Sequence, residues 1–160
     1  MDATSEREVA PMKNRTTVER TSERELVVTR TTNGPARLVF EAWTKPELLQ
    51  QWWGPAGVRC ISAEVDLRAG GVYRIGNQLP DGGVVWISGE FELVESPHRL
   101  VYSWRVEDEP VSRVTVSFSA IMDGATEVVI RHERIHSTAV RDDHERGWQG
   151  CLDRLERWVV

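Results

Sequence analysis

The stretch that most restricts how this chain can fold is its last, Thr138 to Val160. Val140, His144, Gly147, Trp148, Cys151, Leu152, Leu155, Trp158 and Val159 recur there at spacings of three and four. That pattern puts one wide apolar stripe on an α-helix, with Arg141, Asp142, Asp143, Arg146, Asp153, Arg154 and Glu156 on the opposite face. A helix of ~20 residues is roughly 30 Å long. It needs an equally long apolar surface to lie against, and the preceding segments read as strands. The expected architecture is therefore a curved sheet covered by this helix, with room for a ligand between them.

From Val58 onward the period of the pattern is two. Strands are predicted at 58–66, 71–76, 84–95, 99–106, 112–120 and 126–133. The links between them carry turn residues: Ala69-Gly70-Gly71, Pro80-Asp81-Gly82-Gly83, Ser96-Pro97-His98, Glu109-Pro110 and Asp123-Gly124. Short links join successive strands as hairpins, so the set is an antiparallel meander. Leu100, Tyr102, Trp104 and Val106 share one face of their strand. Val114, Val116, Phe118 and Ala120 share a face of the next, and Val128, Ile130 and His132 of the last. Val84 and Trp86 are out of phase with Phe91 and Leu93, which predicts a bulge and bend at Ser88-Gly89.

Ahead of the meander, Glu25 to Thr32 reads as a first strand, ended by Asn33-Gly34-Pro35. Pro35 suits the first turn of a short helix bearing Leu38, Val39, Ala42 and Trp43. Thr44-Lys45-Pro46-Glu47 has capping-box spacing and predicts a second short helix, carrying Leu48, Leu49, Trp52 and Trp53, which Gly54-Pro55 stops. Adjacent helical residues do not face the same way, so one of Trp52 and Trp53 is expected at the surface, at the mouth of the cavity. Residues 1–24 are polar and mixed in charge and read as a mobile tail before a single domain at 25–160, with Met12 an alternative start.

Composition removes several function classes. A net charge of −5 is wrong for a nucleic-acid or anionic-membrane binder, which needs a basic face. No apolar run reaches the length of a membrane span and no secretory signal opens the chain, so a cytoplasmic location is expected. Cys60 and Cys151 have no second cysteine at metal spacing and read as small buried thiols. His132-Glu133-Arg134-Ile135-His136 matches HExxH in letters only. It follows an alternating, β-branched strand, where the two histidines would stand roughly 13 Å apart. Zinc at bonds near ~2 Å requires them on one helical face. Gly70-Gly71 and Gly76 lack the Lys-Ser/Thr of a phosphate loop. No metal and no cofactor is expected.

The order strand, two short helices, six-stranded meander, long helix is similar to the α+β helix-grip fold of the START and Bet v 1-like (SRPBCC) proteins. The local sequence is more specific. Val39 to Leu49 with Gln51-Trp52-Trp53-Gly54-Pro55, then Asp66-Leu67-Arg68-Ala69-Gly70-Gly71, Gly89-Glu90-Phe91, Arg99 to Trp104, and His144 with Gly147-Trp148 resemble the AHSA1-like branch, named for the activator of the Hsp90 ATPase. The resemblance spans 25–160 and implies a sheet of about seven strands. Because the superfamily hosts binders, cyclases and chaperone activators on one scaffold, it implies several roles.

Three roles follow as expectations. The first is binding of a small apolar or aromatic molecule, lipid and polyketide included, between sheet and helix. Tyr73, Phe91, Tyr102, Trp104, Val116 and Phe118 would line the site from the strands, with His132 as a polar anchor; His144, Trp148 and Cys151 would line it from the helix, with Trp52 and Trp53 at the mouth. The second is an aromatase/cyclase-type enzyme on the same cavity, with His132, Tyr102 or His144 as acid or base. The third is partnership with an Hsp90-type chaperone. The chain has no room for a second, amino-terminal domain like that of the eukaryotic activators, which counts against direct Hsp90 activation. An exposed edge strand leaves homodimerisation open.

Overall fold

The computed structural model describes residues 16–122 and 124–159. Eight strands form one antiparallel sheet: β1 Thr16–Ser22, β2 Glu25–Asn33, β3 Arg59–Val65, β4 Val72–Gln78, β5 Val84–Glu95, β6 Arg99–Val106, β7 Ser112–Met122 and β8 Ala125–Glu133. Helices α1 (Ala36–Thr44) and α2 (Pro46–Trp52) follow β2, and α3 (Thr138–Val159) ends the chain. The spatial order is β1-β2-β8-β7-β6-β5-β4-β3, so the meander from β3 to β8 closes back onto β2. This is the helix-grip arrangement, with one strand more than the sequence suggested.

The extra strand is β1, which falls in the stretch read as a tail. Thr-Thr-Val-Glu-Arg-Thr-Ser has no apolar stripe, and only Thr16 and Val18 are half-buried. Its order comes from backbone pairing with β2, Val18 opposite Val28, and from Arg20, whose Nε lies 2.8 Å from Glu145 on α3. Neither contact leaves a periodic signal. The first fifteen residues of the expected tail, Met12 among them, lie outside the described residues.

Two helix starts differ from expectation. Pro35 is the N-cap of α1 rather than part of its first turn. The capping box at Thr44 does not form: Thr44 is still the last residue of α1, its hydroxyl donates to the Phe40 carbonyl at 3.0 Å, and Lys45 caps α2 without a side-chain bond. Pro46, which has no N–H to satisfy, opens α2.

The inward faces of β6, β7 and β8 follow the predicted alternation. Leu100, Tyr102, Trp104, Val114, Val116, Phe118, Val128, Ile130 and His132 are all buried. The bend in β5 is displaced: the β5–β6 register shifts between Phe91 and Leu93, not at Ser88-Gly89. Gly89 has a different task. A Cβ there would lie 1.9 Å from the Ser103 carbonyl, so only glycine lets β6 approach, and the Tyr73 hydroxyl reaches across to donate to that carbonyl at 2.7 Å.

Helix α3 buries Trp148, Cys151, Leu152 and Leu155 against the sheet, each large apolar side chain stabilising by about 1.5–3 kcal/mol. Its polar side is fastened at two further points. Arg30 on β2, 5% exposed, donates to Asp153 and to Glu156 at 2.7 Å each. Arg154 donates to the carbonyls of Gly54 and Pro55 at 3.0 Å and also to that of Val58, pinning the loop after α2 to the helix.

Candidate functional site

Two hollows lie against the sheet, one beside α1 and α2 and one beside α3. The first is a void of about 20 Å³ enclosed by Trp43, Trp53, Tyr73, Phe91, Tyr102 and Trp104, with Leu49, Val65, Ile75 and Leu100 behind them. It is the size of one water, and both tyrosine hydroxyls on its rim are already engaged. Trp43 Nε1–H donates to the Tyr102 hydroxyl at 3.2 Å, and the Tyr73 hydroxyl is taken by Ser103. Tyr73, Phe91 and Tyr102 pack on one another with ring centroids 5.3–5.9 Å apart. Burial pushes both tyrosine pKa values upward, so neither hydroxyl is a ready base.

The second hollow is a cleft of about 200 Å³ against the middle of α3. His144, Gly147, Trp148 and Cys151 form its helix wall. Trp53, Pro55 and Val58 come from the loop that Arg154 holds. Asn77, Leu79, Val85, Ile87, Trp104 and Val106 come from the strand side. The lining has no carboxylate and no formally charged side chain at neutral pH. Trp53 reaches it because it is not helical. As the C-cap of α2 it is extended (φ −63°, ψ 142°), and Gly54 follows at φ +113°. This is why Trp52 and Trp53 are both buried, at 1% and 3% exposure, against the expectation that one would face solvent. Trp52 is away from both hollows, its indole N–H on the Ala42 carbonyl at 2.9 Å.

Behind the cleft runs a buried polar chain. Trp148 Nε1–H donates to His132 Nδ1 at 3.1 Å. Nδ1 is thereby an acceptor, which puts the proton of the neutral ring on Nε2, 2.7 Å from the Ser112 hydroxyl. Ser112 in turn donates to the Trp104 carbonyl at 3.3 Å. Burial, then the neighbouring His144, hold His132 well below the usual imidazole range. His144 stacks on it, with centroids 4.6 Å apart. Burial pushes the pKa of His144 down to about 4, with Asp143 opposing and His136 adding to the effect. The Cys151 thiol is pushed up to about 12 by burial, despite a backbone hydrogen bond at Gly54 and the charge of Arg154. A thiol held protonated beside an imidazole held neutral is the reverse of an activated cysteine pair.

Of the residues expected to line a ligand site, Trp53, Trp104, His144, Trp148 and Cys151 meet at the cleft. Tyr73, Phe91 and Tyr102 surround the small void. Val116, Phe118 and His132 border neither hollow: Phe118 packs edge-on against Phe40 and Trp43 at 5.4 and 5.7 Å. Sequence reasoning missed Asn77, whose signal was available. It continues the inward phase of Tyr73 and Ile75, past the residue at which the strand was expected to end.

Three polar atoms of residues bordering the cleft are shielded from solvent and have no hydrogen-bond partner: Trp53 Nε1, Trp104 Nε1 and Asn77 Oδ1. Cys60 and Cys151 are both buried and free. Among the described residues no helix is long and apolar enough to cross a membrane, and no three His, Cys, Asp or Glu side chains are grouped to hold a metal ion.

The family model described as Activator of Hsp90 ATPase homolog 1-like protein matches residues 33–159. No curated protein matches the chain. Among solved structures, a protein from Rhodobacter sphaeroides superposes with a TM-score of 0.79 at 21% identity, covering 90% of this chain and 97% of its own. One from Nitrosomonas europaea gives 0.74 at 27%, covering 85% and 94%. An HSP90 activator from Plasmodium falciparum gives 0.67 at 26%, covering 83% and 94%.

Proposed function

The chain belongs to the family of activator of Hsp90 ATPase homolog 1-like proteins, and on that premise we propose that it is a binding protein that takes a small, largely apolar ring into the cleft between β4–β6 and α3. The observation that carries this reading is the cleft itself: about 200 Å³, walled by indole and aliphatic side chains with a few polar atoms among them. Small-molecule sites have this composition. An apolar cavity of about 150 Å³ already accepts benzene, so the space suits one substituted ring rather than a whole lipid or polyketide chain. The enzyme reading has less support. His132 has both ring nitrogens engaged and both tyrosine hydroxyls are occupied, which leaves His144 alone facing the cleft.

The test is a titration of tryptophan fluorescence with a panel of single-ring compounds, on the wild type and on Gly147→Leu. Gly147 borders the cleft and a Cβ there would meet nothing within 4 Å, so a larger side chain at this position is expected to occupy the cleft. Saturable binding by the wild type and its loss in Gly147→Leu are expected. Equal binding by both proteins, or none by either, would remove the cleft from consideration.

A second reading rests on the family description and on the Plasmodium falciparum HSP90 activator: stimulation of an Hsp90-type ATPase. Its test is the ATPase rate of such a chaperone with and without this protein. A rate increase that persists in Gly147→Leu would assign the activity to the surface instead of the cleft.

A further inference from the structure

We infer that the ligand of the cleft is an uncharged phenol, one aromatic ring bearing a hydroxyl that donates to the imidazole of His144. The inference rests on the binding reading above and adds the chemistry of the ligand to it. Most polar side-chain atoms of the cleft lining are out of a ligand's reach. Trp148 Nε1–H is taken by His132, and Trp53 Nε1, Trp104 Nε1 and Asn77 Oδ1 are sealed from solvent. The nitrogens of His144 differ on both counts. The ring borders the cleft and is half-buried, and neither nitrogen is hydrogen-bonded to a described residue or sealed from solvent. One face of the ring lies on His132, with centroids 4.6 Å apart and planes 10° from parallel, and the Trp104 ring stands edge-on at 6.0 Å. Those contacts hold the imidazole in place without using its nitrogens.

Three features select a hydroxyl on an aromatic ring. A neutral imidazole carries one N–H and one lone pair, and its proton can sit on either nitrogen. The nitrogen nearer the ligand can therefore present the lone pair. A hydroxyl pairs with that lone pair, and an ether or a ketone cannot. His144 is neutral near pH 7, burial being the main cause, and no other side chain of the lining is charged. A carboxylate or phenolate would lose its hydration here without gaining a counter-charge. A phenol, with a pKa of about 10, enters uncharged. The indole rings of Trp53, Trp104 and Trp148 supply apolar walls for its ring.

The probes are p-cresol, its methyl ether p-methylanisole, and toluene, titrated calorimetrically into the full-length protein at pH 7. Each has one ring, and only p-cresol has a donor. As the most polar of the three it would rank last on apolar burial alone. It is expected instead to bind at least about threefold more tightly than either of the others, the hydrogen bond to His144 offsetting its dehydration. In the ¹⁵N spectrum of the wild type, p-cresol should move the unprotonated nitrogen of one of the four imidazoles upfield, while toluene should not. His144→Phe keeps a ring and removes both nitrogens, and p-cresol should then bind more weakly than toluene. Equal or tighter binding of toluene to the wild type overturns recognition by a hydrogen bond while leaving a binding cleft in place. Binding of p-methylanisole as tight as that of p-cresol overturns the hydroxyl. An unchanged preference in His144→Phe, or imidazole resonances that p-cresol leaves in place, overturns the assignment to His144. Failure of all three to bind overturns the binding reading and this inference with it.

Discussion

The indole N–H of Trp148 on α3 donates to Nδ1 of His132 on β8 at 3.1 Å, joining the helix to the centre of the sheet through a fully buried imidazole. That one bond fixes the tautomer of His132. Nε2–H then meets Ser112, and Ser112 meets the Trp104 carbonyl, so four residues from β6, β7, β8 and α3 form one satisfied chain. In a low-dielectric interior such a chain is stabilising only while every member is paired.

Replacing His132 by Phe should therefore destabilise the fold by about 2–4 kcal/mol, because the ring is kept while Trp148 N–H and the Ser112 hydroxyl lose their partners. His144→Phe, whose ring has no hydrogen bond to lose, should stay within about 1 kcal/mol of wild type at pH 7.5. Urea midpoints at constant slope measure both. Equal losses would mean that the polar chain contributes nothing beyond packing.

Both histidines predict acid sensitivity of a definite sign. Their folded pKa values lie below the unfolded one, near 6.5. Between that value and about 4, the folded-state pKa of His144, the unfolded chain binds more protons. Stability is complete above pH 6.5 and falls as the pH drops through this window. For His144 the difference corresponds to roughly 3 kcal/mol at 1.36 kcal/mol per unit, trimmed to about 2 by its partial exposure. His144→Phe should flatten the curve between pH 4.5 and 6.5. An unchanged slope would place the acid sensitivity in the carboxylates.

Two glycines three residues apart on α3 should respond in opposite directions. Gly147→Ala gains helix propensity and meets only open space, so the fold should be stabilised by about 0.5–1 kcal/mol. Gly150→Ala has the same propensity gain, but its Cβ would lie 3.0 Å from Pro55 Cβ and 3.1 Å from Pro55 Cα, in a loop that Arg154 pins. A net loss of about 1 kcal/mol is expected from this overpacking. Thermal melts of the pair decide it: stabilisation by both would show that the loop yields freely.

Arg154→Met keeps the aliphatic stem and removes the donor to three carbonyls. The expected cost is about 1–3 kcal/mol. Hydrogen exchange should become faster at residues 54–58, with little change in β7 and β8. Uniform acceleration across the sheet would indicate that Arg154 supports the whole fold and not the cleft wall.

The inward faces of β6 to β8 were readable because a half-buried strand must alternate. β1 was not, because an exposed edge strand held by backbone pairing and ion pairs has no apolar period. That Trp52 and Trp53 are both buried was not legible, because the direction of Trp53 depends on its own extended backbone after α2. Asn77 was overlooked because a polar residue at the end of an apolar phase reads as the end of the strand.

The layers follow from residue patterning alone. A two-residue period followed by a helical stripe leaves little choice but a meander of hairpins gripped by a terminal helix, since that is how both apolar faces are buried. The sequence also supplied the tryptophans and histidines that later meet at the site. Which of them line an opening and which fill the core depends on three-dimensional packing. Tyr73, Phe91, Tyr102, Val116, Phe118 and His132 share inward faces with Trp104, yet the cleft lies against the middle of α3, where Gly147 leaves space beside the loop that Arg154 pins. Alternation tells which side of a sheet a residue faces. Whether the facing volume is occupied depends on how the side chains of three separated segments add up, and no local pattern contains that sum.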